Sequence, residues 1–599
     1  MKNYTSLVIF TIVILSVSSI DIQAQSYTDH IGAGNDLNIN VTSSSNASGS
    51  KSGNTISGEG LDAKRMEASR FLAQSTLGFD IARIDALAAD RDNDFEGWIN
   101  DQFQQSPTLT EPLVYSITDE LKSLRTQNGE SLDDFFGPWA LHFNYAFWQA
   151  NMTNDDLLRH RIALALSEIL VISINSNLVD HGESLANYYD VLLNNSFGNY
   201  KNLLKEVSIH PAMGLYLSHY NNQKTNEAAN IHPDENYARE IMQLFSIGLY
   251  ELNLDGTQKM QGNQPVPTYS NEDITQLAKV FTGLSASGLG DDAWSNDVYF
   301  GIDFYQIDKT KPMKMYEQYH EEGTKEFLGK TIPAGQTGMR DIDAAIDIIF
   351  NHPNVGPFLA TRLIQRLVKS NPSKAYVQRV ASTFNRNESG TRGDMKSVIK
   401  AILLDDEART CSSLSSASAG KLREPMMRLG HVAKSLPVDV SQERYWNSGF
   451  EQLNTLKQHP LGAPSVFNFY TPDHAPIGDI SDNAMVAPEF KIFDSTSSIN
   501  YINKVNQWFV WESLWWTWEG DYGVEVPSLI LKELVDLADE PEALINRLDI
   551  MYTHGQLTEA TKANIKEAIS GLKWGEVNFD RVRMAVYLLL ISPDYAILK

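Results

Sequence analysis

Residues 232–256, HPDENYAREIMQLFSIGLYELNLDG, carry the tightest constraint in this chain, a polar arc and an apolar stripe written at helical period on one segment. Pro233 suits a first helical position, and Asp234 and Glu235 put negative charge where a helix dipole favours it. At roughly 100° per residue, Tyr237, Ile241, Leu244, Phe245 and Gly248 share one side. His232, Glu235, Asn236, Arg239, Glu240 and Gln243 gather on the other. A helix so divided must press one face into a core. Its polar face must meet either solvent or a covering loop, and the loop around His320 is the expected cover.

The same period recurs along the chain. Helices are expected over 154–173, 184–195, 200–208, 273–282, 340–350, 353–369, 373–384 and 394–404, with a further helical start in KRMEASRFLAQSTLG near residue 61. His210-Pro211 and His352-Pro353 read as helix entries. Between the helices lie long stretches rich in Gly, Pro and aromatic residues, notably 285–331 and 437–500. The expected fold is mainly α, a multi-helical globular body over 61–599 with long ordered loops and at most small β-hairpins. Its length suggests two subdomains, about 61–335 and 336–599. Trp508, Trp511, Trp515 and Trp518 fall on one face of a helix and read as a core seam, with sugar stacking as the alternative.

Lys2 followed by the apolar run LVIFTIVILSV and a small residue at Ala24 reads as a signal peptide over 1–24. That apolar run is shorter than the about 20 residues a membrane-spanning helix needs, so no integral membrane segment is expected after cleavage. The Ser/Gly/Asn-rich stretch up to residue 60 reads as a flexible linker over 25–60, and the protein as exported, periplasmic or secreted. Cys411 stands alone in the sequence, which excludes an internal disulfide, a Cys-rich metal site and haem attachment. A net charge of −26 without a basic run argues against nucleic acid as a partner.

The segment PDENYAREIMQLFSIGL with the following LNLDG resembles the signature of the bacterial proteins grouped as domain of unknown function 1800 (DUF1800). HRIALALSEILVIS, HPNVGPFLATRLIQRLVKSNP, RGDMKSVIKAILLDDEAR, GKLREPMMRL and PLGAPSVFNFY fit the same pattern, so the likeness covers about 61–599. The resemblance implies an exported, largely helical protein without an assigned reaction. It also implies a partner, because genes of this type often lie beside one for an exported sulfatase-like protein.

Glu235 and Arg239, and likewise Asn236 and Glu240, are pairs four residues apart on a helix. Solvated, such pairs are worth a few tenths of a kcal/mol. Covered, they form a buried ionic network of the kind chemistry uses. Glu235 and Glu240 are separated by about 7.5 Å of helix rise, which lets two carboxyl groups flank a substrate. The loop YHEEGTK adds His320, an acid-flanked histidine that the family pattern includes. The expected site therefore has Glu235, Glu240 and His320 as acid/base groups, with Arg239, Asn236 and Gln243 binding substrate. No HExxH, calcium-loop, phosphate-loop or G-x-S-x-G pattern occurs, so no metal is assigned and the cofactor is unknown. On the apolar helix near 160, Arg161 and Glu168 share a face and read as buried pairing that fixes register. The expected activity is a hydrolase or lyase acting on an extracellular polysaccharide or similar polymer. The alternative is a non-catalytic binding or assembly partner of the sulfatase-like protein.

Overall fold

Short polar side chains start many of the helices. Asp62, Asp80, Asn199, Ser373 and Thr558 each accept a hydrogen bond from a first-turn amide of the helix that follows. In the computed structural model the residues described are 61–599, apart from 133–136, 292, 411–417, 441, 448–452, 511–513, 516, 518–523, 525–526 and 574. The fold is mainly α. The expected signal peptide and linker, Cys411, Trp511 and Trp518 lie outside the described residues.

At the centre runs the helix Leu157–Ser167, buried along its whole length. Such all-round burial explains its near-continuous apolar sequence. Helices Ala63–Ser75, Phe95–Gln102, Gly182–Asn195 and Val355–Leu367 pack around it. One connected apolar core runs from Leu61 to Leu598. A small second core joins Val171, Ala463, Phe469, Tyr470 and Ile492, with Tyr216 packed against it.

All the strands form two-stranded antiparallel pairs among the described residues, two of them tight hairpins at Met260–Gln261/Gln264–Pro265 and Lys325–Phe327/Lys330–Ile332. The pair that matters most for the interior joins Lys421–Leu422 to Ile597–Leu598, which brings the last residues of the chain against residue 421. No helix among the described residues is long and apolar enough to cross a membrane.

Two helical expectations need correcting. The helix expected from Pro233 begins at Asn236 and ends at Gln243. Asp234 is held outside it, since its amide donates to Asn222 Oδ1 at 2.9 Å and its carboxylate accepts from the Asn236 amide at 2.9 Å. At the other end the Gly248 amide reaches back to the Met242 carbonyl, and Gly248 takes φ +73°, where a side chain would be strained. The Trp-bearing helix runs over Ser495–Val510, so Trp515 falls beyond it, although Trp508 and Trp515 are both buried in the core.

Gly420, next to the terminal strand pair, has φ +77°, and a Cβ there would lie 2.3 Å from the Leu598 carbonyl oxygen. Gly420→Ala is expected to cost at least about 2 kcal/mol of stability in urea unfolding, from strain and clash together. An unchanged midpoint would mean that the terminal strand is not held against Lys421.

Candidate functional site

The central helix ends at Glu168, whose carboxyl lies inside the protein. Arg366, near the end of the helix Val355–Leu367, meets it with Nη1 at 3.1 Å from Oε2. The Lys421 ammonium lies 3.0 Å from Glu424 Oε1 and 3.2 Å from Glu489 Oε1, and donates to the Arg366 carbonyl at 2.9 Å. The Arg161 guanidinium donates to that same carbonyl. The Gln458 amide bridges Glu424 and Glu168, at 2.6 and 3.2 Å. Three carboxyl groups thus face three cations, all buried, from four separate stretches of chain, with Gln458 from a fifth. The expected burial of Arg161 and Glu168 holds, but the partner of Glu168 is Arg366.

Glu168 and Glu424 are hydrogen-bonded to each other, so one of them carries a proton. Burial pushes Glu168 well above the usual carboxylate range, against the pull of Arg366. Burial also opposes ionisation of Glu424, but Lys421 and Arg366 outweigh it and hold that carboxyl low. Backbone polarity agrees with this division. Glu168 sits at a helix C-terminus, where negative charge is disfavoured, and Glu424 caps the N-terminus of Pro425–Lys434, where it is favoured.

Beside this network opens a small cleft of about 50 Å³, partly open to solvent. Glu168, Arg366 and Glu489 form one side, and Phe467, Asn468 and Tyr470 another, with Arg362 also on the wall. The stretch carrying Asn468 and Tyr470 is hung from the chain just after Glu168. Ser173 donates to the Ala463 carbonyl at 2.5 Å, and the Ile174 amide to the Leu461 carbonyl at 2.8 Å.

Of the residues expected from sequence, Glu240 has the one carboxyl group that burial shifts strongly, and its helix leads to Leu244 on the cleft wall. Glu240 is buried, and its Oε2 has no hydrogen-bond partner. Burial pushes its carboxyl up to about 7, with Arg239 opposing. Leu244, one turn further along the same face, lines the cleft, and Tyr216, close enough to feel the charge of Glu240, packs on the small core that holds Tyr470. Glu235 and Arg239 pair at 3.4 Å with 40% of each side chain exposed, and Glu235 also accepts from the Thr275 hydroxyl at 2.7 Å. Asn236 is exposed and reaches Ser218 at 3.3 Å. Gln243 accepts from the Tyr269 hydroxyl at 3.1 Å.

His320 is placed differently. Its ring is buried between the Thr282 carbonyl, 2.9 Å from Nδ1, and Asp341, 3.1 Å from Nε2. The buried Lys325 ammonium also binds Asp341, and Gln336 donates to the other Asp341 oxygen at 3.1 Å. The His320 loop docks on 224–225 and on Thr282 instead of covering the Asn236–Gln243 helix. What the two groups share is a neighbour, the helix Asn271–Val280. Its Thr275 touches Glu235, and Thr282 just past its end touches His320.

The network and the cleft residues were not in the expected site. Their signals lie in single charges set on apolar helices, such as Arg362 and Arg366 four residues apart in FLATRLIQRLV, and Glu168 in ALALSEILVIS.

Because Glu168 holds the proton, Glu168→Gln mimics its native state and is expected to cost no more than about 1 kcal/mol. Glu424→Gln leaves Lys421 and Arg366 short of charge and is expected to cost about 3–5 kcal/mol. Equal losses in urea unfolding would contradict the division. For Glu240 the fold holds a proton that the unfolded chain releases near 4.5, and lets it go only at about 7. That contribution is complete below the unfolded value and is lost as pH rises through the folded one. The stability of Glu240→Gln relative to the parent is therefore expected to rise between about pH 5 and pH 8.

The chain matches the family described as Protein of unknown function (DUF1800) over residues 70–597. No curated protein and no solved structure matches it. A match spanning nearly all of the described fold, from the first helix to the terminal strand that fixes Lys421, means that this protein belongs to the DUF1800 family.

Proposed function

We propose that the protein is an exported acid–base enzyme, a hydrolase or lyase acting on an extracellular polysaccharide at the Glu168 cleft. The observation that carries this reading is two carboxyl groups kept protonated beyond their ordinary range by burial, Glu168 on the cleft wall and Glu240 on the helix that leads to the cleft-lining Leu244. Pairs of titratable groups tuned away from their solution values are the usual means of doing acid and base chemistry near neutrality. Glu168, held protonated, donates its proton to the leaving oxygen. Glu240, poised at about 7, takes a proton from water in hydrolysis or from carbon in elimination. Glu235, Arg239, Asn236 and Gln243 continue the polar surface outward along the polymer, and His320 braces the helix Asn271–Val280 behind it.

The test is to incubate the purified chain with a panel of polysaccharides and to follow new reducing ends and ultraviolet absorbance of unsaturated products. On a polymer that is cut, Glu168→Gln and Glu240→Gln are each expected to lower kcat at least about a hundredfold. Both variants retaining parent activity would sink the assignment. A chain that binds polymer or a sulfatase-like protein and cuts nothing would instead be the non-catalytic partner.

A further inference from the structure

Arg362 is the one cleft-lining cation that the buried network leaves unanswered. Its guanidinium lies 3.5 Å from the centre of the Phe358 ring, which fixes its plane. Among the described residues no carboxylate lies within the 4.0 Å of an ion pair, and the charge that acts on it most strongly is the like-charged Arg366. Burial and Arg366 together bring Arg362 down to about 9, and the more distant pulls of Tyr200 and Asp473 do not make up for it.

A second, independent observation sits on the same wall. Asn468 is 6% exposed, and neither its amide nitrogen nor its amide oxygen has a partner in the protein. The Tyr470 hydroxyl and Gln365 Oε1 are likewise unpaired, and both residues line the cleft. Buried polar groups in folded proteins are nearly all paired, so this cluster on an open cleft marks groups whose partners come from outside. Phe467, next in the chain, leaves 48% of its surface exposed at the same cleft. A guanidinium, an amide that can both donate and accept, and an exposed ring match an anionic substituent, ring hydroxyls and the apolar face of a sugar.

We propose that the cleft recognises a negatively charged sugar unit, with Arg362 binding its carboxylate or sulfate, Asn468 its hydroxyls and Phe467 its face. This rests on the reading of the chain as acting on an extracellular polysaccharide, and it names the class of sugar. Arg366 does not compete for the anion, because Glu168 occupies its Nη1 and the charge of Glu424 already answers it.

The experiment is isothermal titration calorimetry of the full chain with three probes of equal length: a galacturonate oligosaccharide, a sulfated galactose oligosaccharide and a neutral galactose oligosaccharide. At least one charged probe is expected to bind about tenfold or more tightly than the neutral one, and which does so tells carboxylate from sulfate. Arg362→Gln is expected to abolish that preference, while Arg362→Lys, which keeps the charge without the planar fork, retains part of it. Thermal unfolding separates a binding role from a structural one. Removing a buried charge that has no ion-pair partner should leave the Tm of Arg362→Gln unchanged or raised. Three probes that bind alike, charged probes that do not bind, or an undiminished preference in Arg362→Gln would each overturn the proposal. Binding needs no turnover, so the two readings fail separately. A preference that depends on Arg362 in a chain that cuts nothing overturns the enzymatic reading alone. Cleavage of neutral polymer without any such preference overturns the acidic-sugar assignment alone.

Discussion

One proton shared by Glu168 and Glu424 fixes the interior of this protein. Both carboxyl groups lie deep in the fold, and in the resting protein two unprotonated groups in contact there would be costly. The direction of two helices decides between them. The central helix ends at Glu168 and presents carbonyl groups to it, while Pro425–Lys434 begins after Glu424 and presents amides. Lys421 then reinforces the choice at 3.0 Å. The central helix, the helix carrying Arg366, the strand at 421–422, Gln458 and the turn at 488–491 all meet at this proton.

The same contacts shape the cleft. Glu168, Arg366 and Glu489 belong at once to the network and to the cleft wall. Lys421 is held by pairing with Ile597–Leu598, so the end of the chain sets a charge in the middle of the molecule. The stretch bearing Asn468 and Tyr470 hangs from residues 173 and 174, a few positions past Glu168. Cleft and network therefore stand or fall together.

Much of the helical framework was legible from sequence because its causes are local. The helix Tyr200–Ser208 matches its expected bounds, and Gly338–Phe350, Val355–Leu367, Lys374–Asn385 and Met395–Leu403 fall within two residues of theirs. An apolar stripe and a capping side chain suffice for that. Where a boundary depended on tertiary contact the reading failed, as at Asp234, which Asn222 holds out of the helix. The site divides in the same way. Glu240 could be singled out as a carboxylate on a segregated helical face. Arg366, the Lys421–Glu424 pair and Glu489 come from three distant segments, and nothing local tells that they meet. His320 looked like a reactive loop histidine because Asp341, which occupies it, arrives from a helix that starts only at residue 338.

A buried ionic network is a weak source of stability, since apolar side chains of similar volume serve as well or better. Six ionisable groups in one network, three of them on an open cleft, therefore call for an account beyond folding. Conformational specificity is one, and the junction of five segments at Lys421 and Glu168 fits it. It does not extend to Glu240, whose buried Oε2 meets no donor, or to Arg362, which has no ion-pair partner among the described residues. Neither side chain holds two segments together through its charge, and each costs the fold desolvation. Arg362 lies on the cleft wall, and Glu240 on the helix whose end, Leu244, lines it. Groups that weaken a fold without tying it together, gathered at one opening, are what a site built for a polar ligand requires.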